Sequence, residues 1–224
     1  MTGETLKEKQ ARAGKCLRLL KKHYPDSRCS LNFSTVHELL VATILSAQCT
    51  DERVNQVTGA LFAKYRSVED FARADLRKLS RDVYPTGFHN NKARSIKKSA
   101  QQLLEAHGGR VPPTLDLLIK LAGVGRKTAS VVLGAGFALA EGVVVDTHVG
   151  RLSRRLALTD HKHPARVEKD LMEIIPGKDW IACSYLFIDH GRAVCRARQP
   201  DCAGCFLSRL CPTVTPRSIL PRCG

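Results

Sequence analysis

The chain has 224 residues, 43% hydrophobic and 25% charged, which is enough apolar material for a packed core and excludes a largely disordered protein. Its 36 Lys plus Arg outnumber 21 Asp plus Glu, leaving a formal charge of +15. A surplus of that size repels itself in a compact chain and points to an anionic partner, nucleic acid foremost, with a basic but merely soluble protein as the plain alternative. The longest apolar stretch, 131–140, stops at Glu141 and is far short of the ~18–20 residues of a membrane span. Glu4, Lys7, Glu8, Lys9, Arg12 and Lys15 leave no apolar segment for a secretory signal.

Helical periodicity begins at once. Leu6, Ala13, Cys16, Leu17, Leu20 and Tyr24 share one face, with lysines and arginines opposite, until Pro25 and Asp26 end the pattern. The apolar segment 36–46 suits a buried helix, and 51–65 an amphipathic one. Further helices are expected over 67–74, 75–80, 90–107, 114–121, 127–137, 147–156 and 166–175. His107-Gly108-Gly109 closes one of them, and Thr114 is placed to cap the next. Alternating runs with paired turns are missing, and the valines at 143–145 are too few for a sheet, so the expected class is all-α. A loosely held tail is expected over 212–224, which carries three prolines.

Three segments carry chemistry. In Leu121-Ala122-Gly123-Val124-Gly125-Arg126-Lys127, two glycines separate two apolar helical patterns. Glycine there permits positive φ and close backbone approach, and the second helix opens with unpaired N–H groups that suit a phosphate. In a basic protein that arrangement reads as a grip on a nucleic-acid backbone; an ordinary glycine-capped hairpin is the alternative. Lys127 falls in the first turn of the second helix, where the macrodipole disfavours an ammonium and an uncharged amine could form a Schiff base. Then Val143-Val144-Val145-Asp146-Thr147-His148 delivers a carboxylate to another helix start, where it is either a cap or a partner for Lys127. Last, Cys195, Cys202, Cys205 and Cys211 place four of nine cysteines within one short run, a ligand set open to iron–sulfur or zinc. Cys16, Cys29, Cys49 and Cys183 read as packing residues, and Cys223 as free in the tail. Arg192, Arg196, Arg198 and Arg209 flank the cysteine run as candidate phosphate contacts. His148 and His190 have no second ligand at helical spacing and are expected to be structural, and Trp180 to be core.

The hairpin, Lys127 and the Val-Asp-Thr-His segment resemble the helix-hairpin-helix/Gly-Pro-Asp superfamily of DNA glycosylases, and within it the endonuclease III family. Leu31-Asn32-Phe33, Leu45-Ser46-Ala47-Gln48-Cys49-Thr50-Asp51 and Thr86-Gly87-Phe88-His89-Asn90-Asn91-Lys92-Ala93 extend the resemblance over nearly the whole chain. It implies two helical domains flanking a DNA-binding cleft: a six-helix barrel carrying the hairpin over 30–139, and an iron–sulfur cluster domain made of 1–29 and 140–224. It also implies base-excision repair by a bifunctional DNA glycosylase and AP lyase that removes oxidised pyrimidines, with Lys127 and Asp146 catalytic. A [4Fe–4S] cluster would sit on the four cysteines. Gly123, Gly125, Arg126, Arg192, Arg196 and Arg198 would contact DNA, and Gln48 and Phe88 would fill the gap left by a flipped nucleotide. The implied partner is double-stranded DNA with a damaged pyrimidine or abasic site, bound by a monomer in the bacterial cytoplasm at the nucleoid, with no membrane. Departures are Ala122, where the family has proline, and Phe88, where leucine is expected; from Gly87 that ring could project, although a lone aromatic is more often core. Two alternatives are a monofunctional adenine or mismatch glycosylase and a DNA-binding module without chemistry.

Overall fold

A computed structural model describes residues 3–214. The 215–224 part of the expected tail, with Cys223, lies outside the described residues. The chain divides into two compact units, Met1–Arg28 with Gly142–Gly224, and Cys29–Glu141. Every regular element among the described residues is helical, and none of the helices is long and apolar enough to cross a membrane.

Local chemistry places most helix starts. Helix α1 (Leu6–His23) begins behind Thr5, whose hydroxyl accepts from the Glu8 amide while the Glu8 carboxylate accepts from the Thr5 amide at 2.8 Å. The same reciprocal box, Ser67 with Asp70, opens α4 (Val68–Arg73). Thr35, Thr50 and Asp75 cap α2 (Val36–Leu45), α3 (Asp51–Lys64) and α5 (Leu76–Asp82). Each such cap contributes about 1 kcal/mol. Thr114 stands at the cap position of α7 (Leu115–Leu118), but its hydroxyl makes no capping bond.

In the Cys29–Glu141 unit, α2 to α5, α6 (His89–His107) and α8 (Arg126–Phe137) surround one core, and α7 is a single turn leading into α8. The apolar α2 lies at the centre, with Leu39, Leu40, Ala42 and Leu45 fully buried against α3, α6 and α8. Cys29 and Cys49 pack on the edge of this core.

The other unit packs α1 against α10 (Pro164–Ile174) and α11 (Trp180–Ala193), with α9 (Thr147–Arg155) between α10 and α11. Cys16 and Cys183 are wholly buried in its core; Trp180 packs on the edge and donates from Nε1 to the Ile175 carbonyl. Periodicity did not anticipate α11. Its sequence, WIACSYLFIDHGRA, is apolar on nearly every side, so no polar stripe marks the helix.

Candidate functional site

The two hairpin glycines turn out to serve different ends. Gly123 has φ +77°, and a Cβ there would lie 2.6 Å from the Ser95 Cβ of α6. Both the backbone conformation and the close approach therefore exclude a side chain. Gly125 has φ −89°, a value open to any residue, and nothing stands within 4 Å of where its Cβ would be. The positive φ expected of glycine is thus confined to Gly123. Gly125 is the N-cap of α8, exposed and without a side chain to cap the first amides of that helix. Arg126 and Lys127 are exposed in the same turn. Leu118, Leu121 and Val124 bury the hairpin's apolar side and fix that helix end in place.

Two loops of this unit end in residues with left-handed backbone. Gln48, just past α2, has φ 53°, and Phe88, just before α6, has φ 48°. Neither is glycine, and such conformations cost of order 1–3 kcal/mol, so surrounding contacts must impose them. Gln48 is exposed and the Phe88 ring is 64% exposed, which removes the reading of Phe88 as a core aromatic. Tyr84, four residues earlier, is equally exposed and lies against the His89 ring at 4.8 Å.

In the unit of Met1–Arg28 and Gly142–Gly224, Asp146 caps α9, with Oδ1 accepting from the Val149 amide at 2.8 Å. The capping reading therefore holds, and the carboxylate is fixed in direction while remaining partly exposed. His148 and His190 are structural. His148 Nδ1 accepts from the Arg151 guanidinium at 3.1 Å, and His190 is buried beside the Tyr24 hydroxyl at 3.2 Å.

Cys195, Cys202, Cys205 and Cys211 line a single cavity of ≈ 220 Å³, whose other walls include Leu152, Leu156, Val194 and Leu207. Burial and the neighbouring thiols push the Cys202 and Cys205 thiols above the ordinary cysteine value. Among the described residues no three His, Cys, Asp or Glu side chains close on one ion. The thiols instead stand around a space much larger than a single ion, in apolar surroundings.

Sequence reasoning missed the groups that hold this loop. The Arg155 guanidinium donates to the carbonyls of Cys195 at 3.2 Å, Arg196 at 2.7 Å and Ala197 at 3.1 Å, and to the Cys195 sulfur at 3.2 Å. One turn earlier, Arg151 donates to the carbonyls of Cys195 at 3.1 Å and Gly191 at 2.8 Å. Their one sequence signal, two arginines four apart on a helix, equally fits a solvated face. Arg192, Arg196, Arg198 and Arg209 are exposed around the loop.

Comparison with known proteins places this geometry in a family. The family described as HhH-GPD superfamily base excision DNA repair protein matches residues 41–177. Endonuclease III of Synechocystis sp. is 50% identical over 92% of this chain and 94% of its own, and that of Bacillus subtilis 43% identical over 88% and 90%. A solved trapped covalent intermediate of endonuclease III with DNA superposes with a TM-score of 0.85 at 42% identity, covering 91% of this chain and 96% of that one.

Proposed function

The chain belongs to the HhH-GPD superfamily of base excision DNA repair proteins, and from that premise we propose that it is a bifunctional DNA glycosylase and AP lyase. Its substrate is double-stranded DNA holding an oxidised pyrimidine or an abasic site. The observation that carries this reading is an exposed lysine, Lys127, in the first turn of a helix that starts at Gly125 with no side-chain cap. Its likeness to a protein trapped covalently on DNA supports the same chemistry.

The N-terminal amides of α8, with Gly123 shaping the turn and the Arg126 side chain beside them, bind backbone phosphate without regard to sequence. The Lys127 Nζ attacks C1′ of the damaged nucleotide, and the C1′–N bond breaks as the base leaves with a proton. The amine's second proton passes to O4′ as the C1′–O4′ bond breaks and the ring opens, leaving a Schiff base between Nζ and C1′. Removal of a C2′ proton then expels the 3′ phosphate, and water releases the lysine. Asp146 is the carboxylate that steadies positive charge on the sugar, and its bond to the Val149 amide fixes its direction. Gln48 and Phe88 occupy the gap left when the nucleotide leaves the stack, the amide facing the orphaned base and the ring acting as a wedge. Arg192, Arg196 and Arg198 add phosphate contacts.

We assign Cys195, Cys202, Cys205 and Cys211 as ligands of a [4Fe–4S] cluster. Four thiols around one apolar cavity fit a polynuclear centre, and iron would offset the burial and thiol–thiol repulsion that push Cys202 and Cys205 up. When bound, the cluster cross-links the loop and supplies no step at the lesion. In these terms Cys29–Glu141 is the barrel domain and the remainder the cluster domain. The enzyme acts as a monomer in the bacterial cytoplasm, at the nucleoid.

Borohydride reduction during reaction with an abasic duplex tests the assignment. A covalent protein–DNA adduct is expected. Base loss without an adduct would make the protein a monofunctional glycosylase, and binding alone would make it a module without chemistry.

A further inference from the structure

A second amine, on Lys92, is left unused by this chemistry. It sits in the first turn of α6 and is 5% exposed. Its Nζ donates to two backbone carbonyls, those of Leu45 and Thr86, each at 2.7 Å. Leu45 is the last residue of α2, so its carbonyl is one that the helix itself leaves unpaired. Thr86 ends the tight helical turn Tyr84–Thr86. The chain leaves the first carbonyl for Gln48 and the second for Phe88 within two or three residues. One buried ammonium therefore ties the roots of the two loops that carry Gln48 and Phe88, each exposed and left-handed.

A buried ammonium is retained only where its donors are satisfied and its burial serves something an apolar chain could not. Burial pushes Lys92 down from the usual lysine value, with nearby Cys49 opposing the shift, so the position is not a comfortable one for a cation. A methionine of similar length would fill the space but could hold neither carbonyl. Each loop has its own short bonds: the Cys49 amide donates to Ser46 and the Gly87 amide to Tyr84. Those bonds shape each loop separately. Among the described residues, the two bonds from Lys92 Nζ link both loops to one atom.

Resting on the reading of Gln48 and Phe88 as the pair that enters the stack, we propose that Lys92 is a positioning residue that locks their loops in mutual register, so that amide and ring enter the duplex as one unit. Removing the tie leaves each loop folded but lets the two drift independently. Displacements of about 1 Å in a positioned group typically cost on the order of 10²-fold in rate, and a tie one step removed should cost roughly tenfold or more.

The test places 2-aminopurine opposite a lesion and follows its fluorescence, which rises when the base is unstacked. It is run in the Lys127→Gln background as well as in the otherwise native chain, so that extrusion is read without chemistry. Lys92→Met is expected to slow the rise, and base loss from the lesion duplex, by roughly tenfold or more, while cleavage of single-stranded abasic DNA, which needs no extrusion, falls less than about twofold. Lys92→Arg, which can still reach two carbonyls, should restore most of the rate. In a Gln48→Ala/Phe88→Ala background, Lys92→Met should add less than about twofold, because the groups it positions are gone. Equal losses on both substrates, or full additivity in that background, would overturn the proposal and make Lys92 a packing residue. Should Lys92→Met fail to fold, Lys92→Gln, whose shorter amide cannot hold both carbonyls, decides by the same criterion. A native chain that extrudes the base yet never forms an adduct would refute the lyase assignment and leave this inference standing.

Discussion

Replacing the hairpin glycines one at a time separates folding from grip. At Gly123 an alanine must adopt φ +77°, which costs roughly 1–2 kcal/mol for an L-residue. Its Cβ must also displace Ser95, whose Cβ and Oγ would stand 2.6 and 2.9 Å away in the body of α6. Overpacking of that kind costs about 1–3 kcal/mol, so Gly123→Ala should lose about 2–5 kcal/mol of unfolding free energy. At Gly125 neither term applies, because φ is −89° and the space is open. Exchanging a glycine N-cap for alanine costs less than about 1 kcal/mol, yet the methyl would project where a phosphate must reach the α8 amides. Urea unfolding and binding to an abasic-analogue duplex, measured on both variants, check the division. Gly123→Ala should be the unstable one, and Gly125→Ala the one that binds at least about fivefold more weakly with near-native stability. A Gly123→Ala protein as stable as the native chain would refute the packing argument. Unchanged binding by Gly125→Ala would move the phosphate grip away from α8.

Lys127→Gln should abolish borohydride trapping while retaining lesion binding. Asp146→Asn should lose roughly 10²-fold in rate with little change in stability, because asparagine caps α9 as well as aspartate does; an undiminished rate would reduce Asp146 to a cap. Purified protein should be yellow-brown with a broad absorbance near ~400 nm, and Cys202→Ala should chiefly destabilise the cluster unit; stoichiometric zinc without iron in anaerobic preparations would contradict the ligand assignment. His37 is pushed down to about 4 by burial, and its Nε2 has no hydrogen-bond partner among the described residues. The unfolded chain then binds a proton that the folded one refuses, so stability is full above about pH 6.5 and falls toward pH 4 by on the order of 3 kcal/mol. His37→Phe should flatten that part of the stability–pH curve in urea titrations.

What the sequence made readable was local. Caps and their boxes obey rules over three residues, and Ser67 with Asp70 or Thr5 with Glu8 express them within one helical turn. Amphipathic α1 and α6 show a stripe because one face is wet. Helix α11 shows none because its neighbours cover most of it, and burial on all sides erases the very contrast that periodicity detects. The hairpin was legible as glycines flanked by apolar helices, but not which glycine was conformational. That depended on Ser95, brought up by α6 from far along the chain.

The same limit governs how the charge was read. A surplus of +15 correctly pointed to an anionic partner, but it treated every cation as facing outward. Arg155 reaches carbonyls 40 to 42 residues away, Arg12 donates to the Leu156 carbonyl at 2.6 Å, and Lys92 holds a carbonyl 47 residues back. Arg155 and Lys92 direct their charge at backbone oxygen, in the cysteine loop and at the roots of the loops that carry Gln48 and Phe88, whereas Arg12 also pairs with the Glu4 carboxylate. No spacing rule separates such a residue from a solvated one, since its partner is chosen by the fold and not by the neighbours in sequence. On the proposed function, these internal cations would act on DNA binding at one remove, by fixing the shape of loops proposed to make the contact. Weak dependence on ionic strength would distinguish them from cations proposed to bind phosphate, such as Arg196. Neutralising Arg196 should lower the salt slope of binding by about one, whereas Lys92→Met should weaken lesion binding and leave that slope unchanged.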